Sequence, residues 1–298
     1  MAPAKLADMI NREHLADLHH GEEQRLMDLH PRSAEMAAEA RQHLLGGVPF
    51  NDLPALEAAL AKGDIACVLT EPALTNIGIM LPDAGFHEGL RRPTKAHGTL
   101  LVMDATHTIC VGPGGATAAW GLQPDFLVIG KTIGGGMPAA AYGMTTEIAA
   151  RLKPAFFDDS IDVSGIGGTL TGNALALAAV RATLANTPRA ADFARMIPLA
   201  TSWTRGVQST IDAYRLPWNV QQLGCRAEYG FCPPPKDGAA AAAAMDHELD
   251  AFMHLWAINR GILLTPFHNM ALLSPYHTQA DVDLHTKVFR DAVVTLAD

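Results

Sequence analysis

Short apolar runs bounded by charged or turn residues recur between residues 66 and 144: Ala66–Thr70, Leu100–Met103, Phe126–Ile129 and Ala139–Met144. Runs of this length, rich in branched residues, predict strands, and their lack of alternation predicts burial on both faces of a parallel sheet. Helical spacing fills the gaps. Leu53–Lys62 places Leu56 and Leu60 on one face and ends at Gly63, and Gly85–Ala96 forms the crossover that leads back to Leu100. Further along, helices are predicted over Ala174–Asn186, residues 190–213, Gly238–Asn259 with its opening run of six alanines, and Gln279–Leu296, the last capped through Thr278 and Asp281. Between them Trp218–Leu223 and Ala227–Cys232 read as strands. At the start, Ala4–His20 and Arg32–Leu45 carry helical patterns joined through His30-Pro31 and stopped by Gly46-Gly47.

The chain of 298 residues is 49% hydrophobic and 18% charged, enough to bury a sizeable core in one large or two modest domains. A formal net charge of −9 with no basic run argues against nucleic acid or an anionic membrane surface as partner. No signal peptide or membrane-length apolar stretch is read. Cys67, Cys110, Cys225 and Cys232 lack metal-site spacing and read as reduced thiols of a cytoplasmic protein. The thirteen histidines are scattered, and His19-His20 reads as solvated.

The chemistry lies where two of the strands stop. Leu100–Met103 runs into Asp104 and Phe126–Ile129 into Gly130-Lys131, with acid and lysine 27 positions apart. The carboxyl ends of neighbouring parallel strands are where an open α/β sheet holds its ligand. An acid and a lysine so placed suit pyridoxal phosphate, whose aldehyde forms a Schiff base with a lysine and whose ring nitrogen pairs with a carboxylate. Two other readings compete: a solvated lysine, and a phosphate-binding loop at Gly130-Lys131-Thr132. That loop needs a glycine five positions before the Gly-Lys, where Asp125 stands.

Asp104-Ala105-Thr106, Gly121-Leu-Gln-Pro-Asp125, Gly130-Lys131, Gly134-Gly135-Gly136-Met-Pro138 and Gly168-Thr169-Leu-Thr-Gly172-Asn173 together resemble the class III aminotransferases, in the branch of glutamate-1-semialdehyde aminomutase and the β-amino-acid transaminases. The resemblance implies an α/β fold of the pyridoxal-phosphate-dependent transferase type I, here truncated, with a small α+β carboxyl-terminal domain. It implies bounds of 1–49 for a helical arm, 50–188 for the cofactor-binding part and 189–298 for the small domain. Compared with the family pattern, on the order of 150 residues, a domain's worth of chain, are absent between Val48 and Asn51. The absent part is the one that grips the cofactor phosphate and stacks on its ring.

Carried over position by position, the resemblance implies that Lys131 holds pyridoxal 5'-phosphate and moves the substrate proton, burial beside cationic groups keeping part of its amine neutral. Asp104 pairs with the ring nitrogen and Thr106 packs beneath the ring. Thr169, with free amides at the start of Ala174–Asn186, binds the phosphate of a neighbouring subunit, which makes the protein a homodimer with shared sites. Ala105 departs from the family's glutamate, and Glu71-Pro72 matches a family dipeptide, Glu71 shaping the site or serving structure alone. Arg226 is the candidate for a substrate carboxylate, against the alternative of a surface arginine. The expected activity is transamination or isomerisation of a small amino compound carrying a carboxylate; the alternative is a non-catalytic remnant, or a subunit that binds an intact partner.

Overall fold

The computed structural model describes residues 47–156 and 170–297. The two amino-terminal helical patterns and Thr169 lie outside these residues. In chain order the described elements begin with helix α1 (Leu53–Leu60), strand β1 (Cys67–Thr70), helix α2 (Phe86–Ala96) and strand β2 (Leu100–Asp104), and continue with the short helix α3 (Gly115–Ala119), β3 (Phe126–Ile129), β4 (Ala141–Met144) and α4 (Thr146–Phe156). Then come α5 (Ala174–Asn186), α6 (Ala190–Tyr214), β5 (Asn219–Leu223), β6 (Arg226–Gly230), α7 (Gly238–Ala243), α8 (His247–Ile258), β7 (Met270–Leu272) and α9 (Gln279–Ala297). Single-turn 3₁₀ segments lie at Thr108–Val111 and Lys131–Gly134.

The first sheet has the order β1-β2-β3-β4. Its first three strands are parallel and β4 returns antiparallel, pairing Phe126 with Met144. Among the described residues this sheet is covered on one face. Leu101 and Met103 point into a core with Phe50, Leu56, Leu60, Phe86 and Leu90 from the α1 and α2 side, whereas every residue of β3 is half-buried and Leu69 of β1 is 67% exposed. The expectation of burial on both faces is therefore corrected: a run of branched residues is compatible with one covered face or two, and only the packing of helices decides which.

The second sheet, β5-β6-β7, is antiparallel throughout. α6 and α9 pack against it around Trp203, Val207, Tyr229 and Phe289, and that core also takes in Ala73, Ile79 and Cys110 from the loops of the first sheet. The predicted helix Gly238–Asn259 is two helices. Asp246 accepts from the Leu249 amide at 3.0 Å and so opens α8, as Asp237 opens α7 by accepting from Ala240 at 2.8 Å. A side-chain cap satisfies an otherwise orphaned amide, and that local gain outweighs the propensity of the alanine run to continue. β7 and α4 were not foreseen; three residues of β7 are too few for any periodicity to show.

Asp125 ties the first sheet together. Arg91 of α2 donates to both its carboxylate oxygens, at 2.7 and 2.9 Å, and the Leu101 amide donates to it at 2.8 Å. The Arg91 guanidinium, foremost, holds its carboxyl below the usual carboxylate range. Asp125→Asn is expected to cost about 2–3 kcal/mol, the scale of charge-assisted bonds lost, measured as a lower urea midpoint at pH 7.

His285 of α9 is buried, with its ring 4.8 Å from that of Trp203, and burial pushes its pKa down to about 4. The unfolded chain, with histidine near 6.5, therefore takes up the proton first, so stability is full above about pH 6.5 and falls as pH drops towards 4. The expected slope from this residue is up to about 1.4 kcal/mol per pH unit, and unfolding curves between pH 7 and 4 should flatten in His285→Phe.

Candidate active site

β2 and β3 lie side by side with Asp104 in register with Val128, so the loops that follow them leave the same edge of the sheet. After β2 the chain turns at once: Asp104 Oδ1 accepts from the Thr106 amide at 2.9 Å, and the Ala105 amide reaches the Val128 carbonyl at 2.8 Å. After β3, Lys131 enters its 3₁₀ turn with φ +52°, a left-handed conformation that a side chain adopts only when its surroundings hold it. Gly135 closes that turn at φ +57°, where a side chain would be strained, and a Cβ there would lie 2.4 Å from the Thr183 Oγ1 of α5, so glycine eases the approach of the turn to α5.

These loops and the second sheet enclose a cavity of about 600 Å³ lined by Thr106, His107, Lys131, Thr183, Arg226 and His268 among mostly apolar neighbours. Lys131, Thr106 and Arg226 are thus brought to one space. Asp104, at the same sheet edge, is half-buried and does not line the cavity. Lys131 is exposed on this chain, not buried as expected. The amides at the start of α5 are not free either, since Asn173 accepts from Leu175 and Ala176 at 3.0 and 3.1 Å; asparagine at that position satisfies the helix end by itself.

Arg226 is no surface residue: it is 3% exposed, where a surface position had been the alternative. Its guanidinium donates to Glu228 at 2.7 Å and to the backbone carbonyl of Thr75 at 2.6 Å, while its Nε is buried with no partner among the described residues. Glu228 also meets His268 Nδ1 at 2.9 Å. The β5–β6 turn that presents Arg226 is pinned by a close approach. Gly224, at φ +58°, faces the Cys110 carbonyl oxygen, which a Cβ would meet at 2.2 Å, and the Cys225 amide donates to that same oxygen at 3.0 Å.

Sequence reasoning missed the polar chain beneath the lysine. Lys131 Nζ contacts His107 Nε2, His107 Nδ1 lies 2.7 Å from Thr75 Oγ1, and Thr75 Oγ1 donates to Glu71. Burial, then the positive charges of Lys131 and Arg226, push His107 down to about 4, so its imidazole is neutral at pH 7. Burial raises Glu71, against the opposing bond from Thr75. The available signal was position: His107 lies three residues beyond Asp104, in the loop where such sheets bind ligands.

The parallel strands with their crossover helix, and the lysine and acid at adjacent strand ends, are features of a known family. Residues 27–283 match the class III aminotransferases, and the chain belongs to that family. Glutamate-1-semialdehyde 2,1-aminomutase of Anaeromyxobacter sp. (strain Fw109-5) is 34% identical over 258 residues, covering 85% of this chain and 58% of that protein. The structure of a glutamate-1-semialdehyde-aminomutase from Pseudomonas aeruginosa PAO1 is 47% identical with a TM-score of 0.80, covering 84% of this chain and 56% of its own. A lysine-to-alanine variant of it has been solved in complex with PMP. An omega-transaminase from Sphaerobacter thermophilus is 25% identical with a TM-score of 0.71, over 84% of this chain and 57% of its own. The chain therefore spans little more than half the length of the relatives it matches.

A buried guanidinium shared between Glu228 and the Thr75 carbonyl should be costly to remove. Arg226→Met is expected to lose about 3–5 kcal/mol because it strands the Glu228 carboxylate, and Arg226→Met with Glu228→Met to recover most of that, by urea unfolding of the single and double variants.

Proposed function

We propose that this chain is the catalytic-lysine portion of a pyridoxal-5'-phosphate-dependent aminotransferase or aminomutase that acts on a small amino compound carrying a carboxylate. The observation that carries the reading is Lys131 on the wall of the 600 Å³ cavity with Asp104 ending the adjacent parallel strand. Residues 50–188 would form the cofactor-binding part and 189–298 the small domain that closes over it.

Lys131 and Thr106 on the cavity wall fit the ring end of the cofactor, with Asp104 at the same sheet edge. Lys131 would hold it through its ε-amine, Asp104 would keep the ring nitrogen protonated, and Thr106 would lie against the ring. When bound, the cofactor supplies an acceptor for the electron pair released at the substrate carbon. Lys131 Nζ then serves as the base and acid that takes the proton from one carbon and returns it to another. Arg226 is the group that would meet a substrate carboxylate, because it is the arginine on the cavity wall. At the phosphate end Asn173 already occupies the α5 amides and Thr169 lies outside the described residues, so the chain alone is expected to bind weakly.

One observation favours a second reading, in which the chain works only against another subunit or not at all. No residue of α5 is buried, and Leu175 and Leu177 stand 64% and 57% exposed on it. Apolar side chains left open in this way suit a homodimer with shared sites. The four cysteines are free, which accords with a cytoplasmic location, and among the described residues no helix is long and apolar enough to cross a membrane.

Incubation with pyridoxal 5'-phosphate, borohydride reduction and peptide mapping test the assignment. The expected label is on Lys131, lost in Lys131→Ala. Label on another lysine overturns the assignment, and no label at millimolar cofactor favours the second reading. Turnover by the unaided chain is expected to fall below the ordinary enzyme scale of about 1 per second.

A further inference from the structure

Lys131 does not stand alone, because its Nζ begins a chain of four side chains whose direction is fixed from both ends. At one end an ammonium can only donate, and at the other a carboxylate can only accept. Glu71 accepts from Thr75 Oγ1, so the Thr75 oxygen is left to accept from His107 Nδ1, 2.7 Å away. With its proton on Nδ1, the neutral imidazole presents a lone pair at Nε2, and that is the atom Lys131 Nζ meets. The arrangement is held in place from the second sheet, since Arg226 donates to the Thr75 backbone carbonyl at 2.6 Å, and Thr75 has no solvent exposure.

We infer that Glu71 and Thr75 are positioning residues which fix the His107 tautomer, so that His107 Nε2 is the resting acceptor for the Lys131 amine whenever that amine is not bonded to the cofactor. The inference rests on the proposed role of Lys131 and extends it to three residues. A lysine that must leave its bond to the cofactor and then work on substrate needs a defined place to wait, and a neutral acceptor on the cavity wall supplies one. His107 can do this because burial and its cationic neighbours keep it uncharged. The charged and titratable groups around the cluster are Asp104 at the end of β2, Arg226 on β6, and His268, which acts on His107 alone. Were His107 in the other tautomer, its Nε2–H would point at the ammonium and two donors would face each other.

The test uses the full chain without cofactor at pH 7. Nitrogen-15 spectra of labelled histidine, with His107 assigned by its loss in His107→Gln, should show Nδ1 protonated and Nε2 bare in the unsubstituted chain. Protonation at Nε2 overturns the inference, and this measurement depends on no variant folding. Thr75→Val, nearly isosteric, removes the acceptor for Nδ1–H and should let the Nε2–H tautomer appear. Lys131 Nζ then loses the acceptor that holds it, and reductive methylation of Lys131 at pH 7, followed by peptide mass spectrometry, should quicken about ten-fold, the scale of one charge-assisted hydrogen bond. Thr75→Ser should restore both the tautomer and the rate. An unchanged tautomer and rate in Thr75→Val would show the cluster to be packing alone. Since no cofactor is present, failure here is distinct from failure of the borohydride labelling, which tests the role of Lys131 itself.

Discussion

The buried guanidinium of Arg226 is the constraint on which the site depends. It is carried by β6 of the second sheet, yet it donates to the Thr75 carbonyl in the loop that follows β1 of the first. Burying a charge is tolerable only with close compensation, and Glu228 at 2.7 Å provides it. The ion pair is internal to β6, and it is the bond to the Thr75 carbonyl that ties the second sheet to the loop after β1. The loop bearing Thr75, the His107 it orients and the Lys131 beyond are all registered from this point. One arginine thus couples a structural role to a cavity wall.

The same packing explains an unequal distribution of apolar surface. α1 and α2 cover one face of the four-stranded sheet and leave the other half-exposed, with Leu69 at one edge strand and Tyr142 at the other, both open. α5 contributes no buried residue although it is mostly apolar. A chain that spans little more than half of its relatives would be expected to show its unmet surfaces at such places. The second sheet is self-sufficient by contrast, because α6 and α9 close over it around Trp203 and Phe289.

Electrostatically the site is built from opposites held close. Lys131 and Arg226 supply positive charge, Asp104, Glu71 and Glu228 negative charge, and His107 lies among them as a neutral intermediary. Cys110 and Cys225 on the same wall are pushed up to about 12 and about 11 by burial, so they remain uncharged and act as small apolar groups. The field at the lysine is therefore set by oxygen and nitrogen groups alone.

Local pattern was sufficient for much of this. Branched runs ending at Asp104 and at Gly130-Lys131 located two parallel strands and the acid and amine at their ends, because strand periodicity and the position of ligand sites at strand termini are both written in adjacent residues. The glycines of the Gly134–Gly136 loop were legible for the same reason. What sequence could not express was anything that joins residues far apart in the chain. Arg226 and Thr75 are 151 positions apart, and only the docking of the two sheets decides that the arginine is buried. The neutrality of His107, the covering of a single sheet face and the break between α7 and α8 follow in turn from burial, from helix placement and from the contest between a cap and a run of alanines. Propensity and spacing speak for neighbours along the chain, whereas desolvation and charge pairing depend on neighbours in space, and those exist only once the chain has folded.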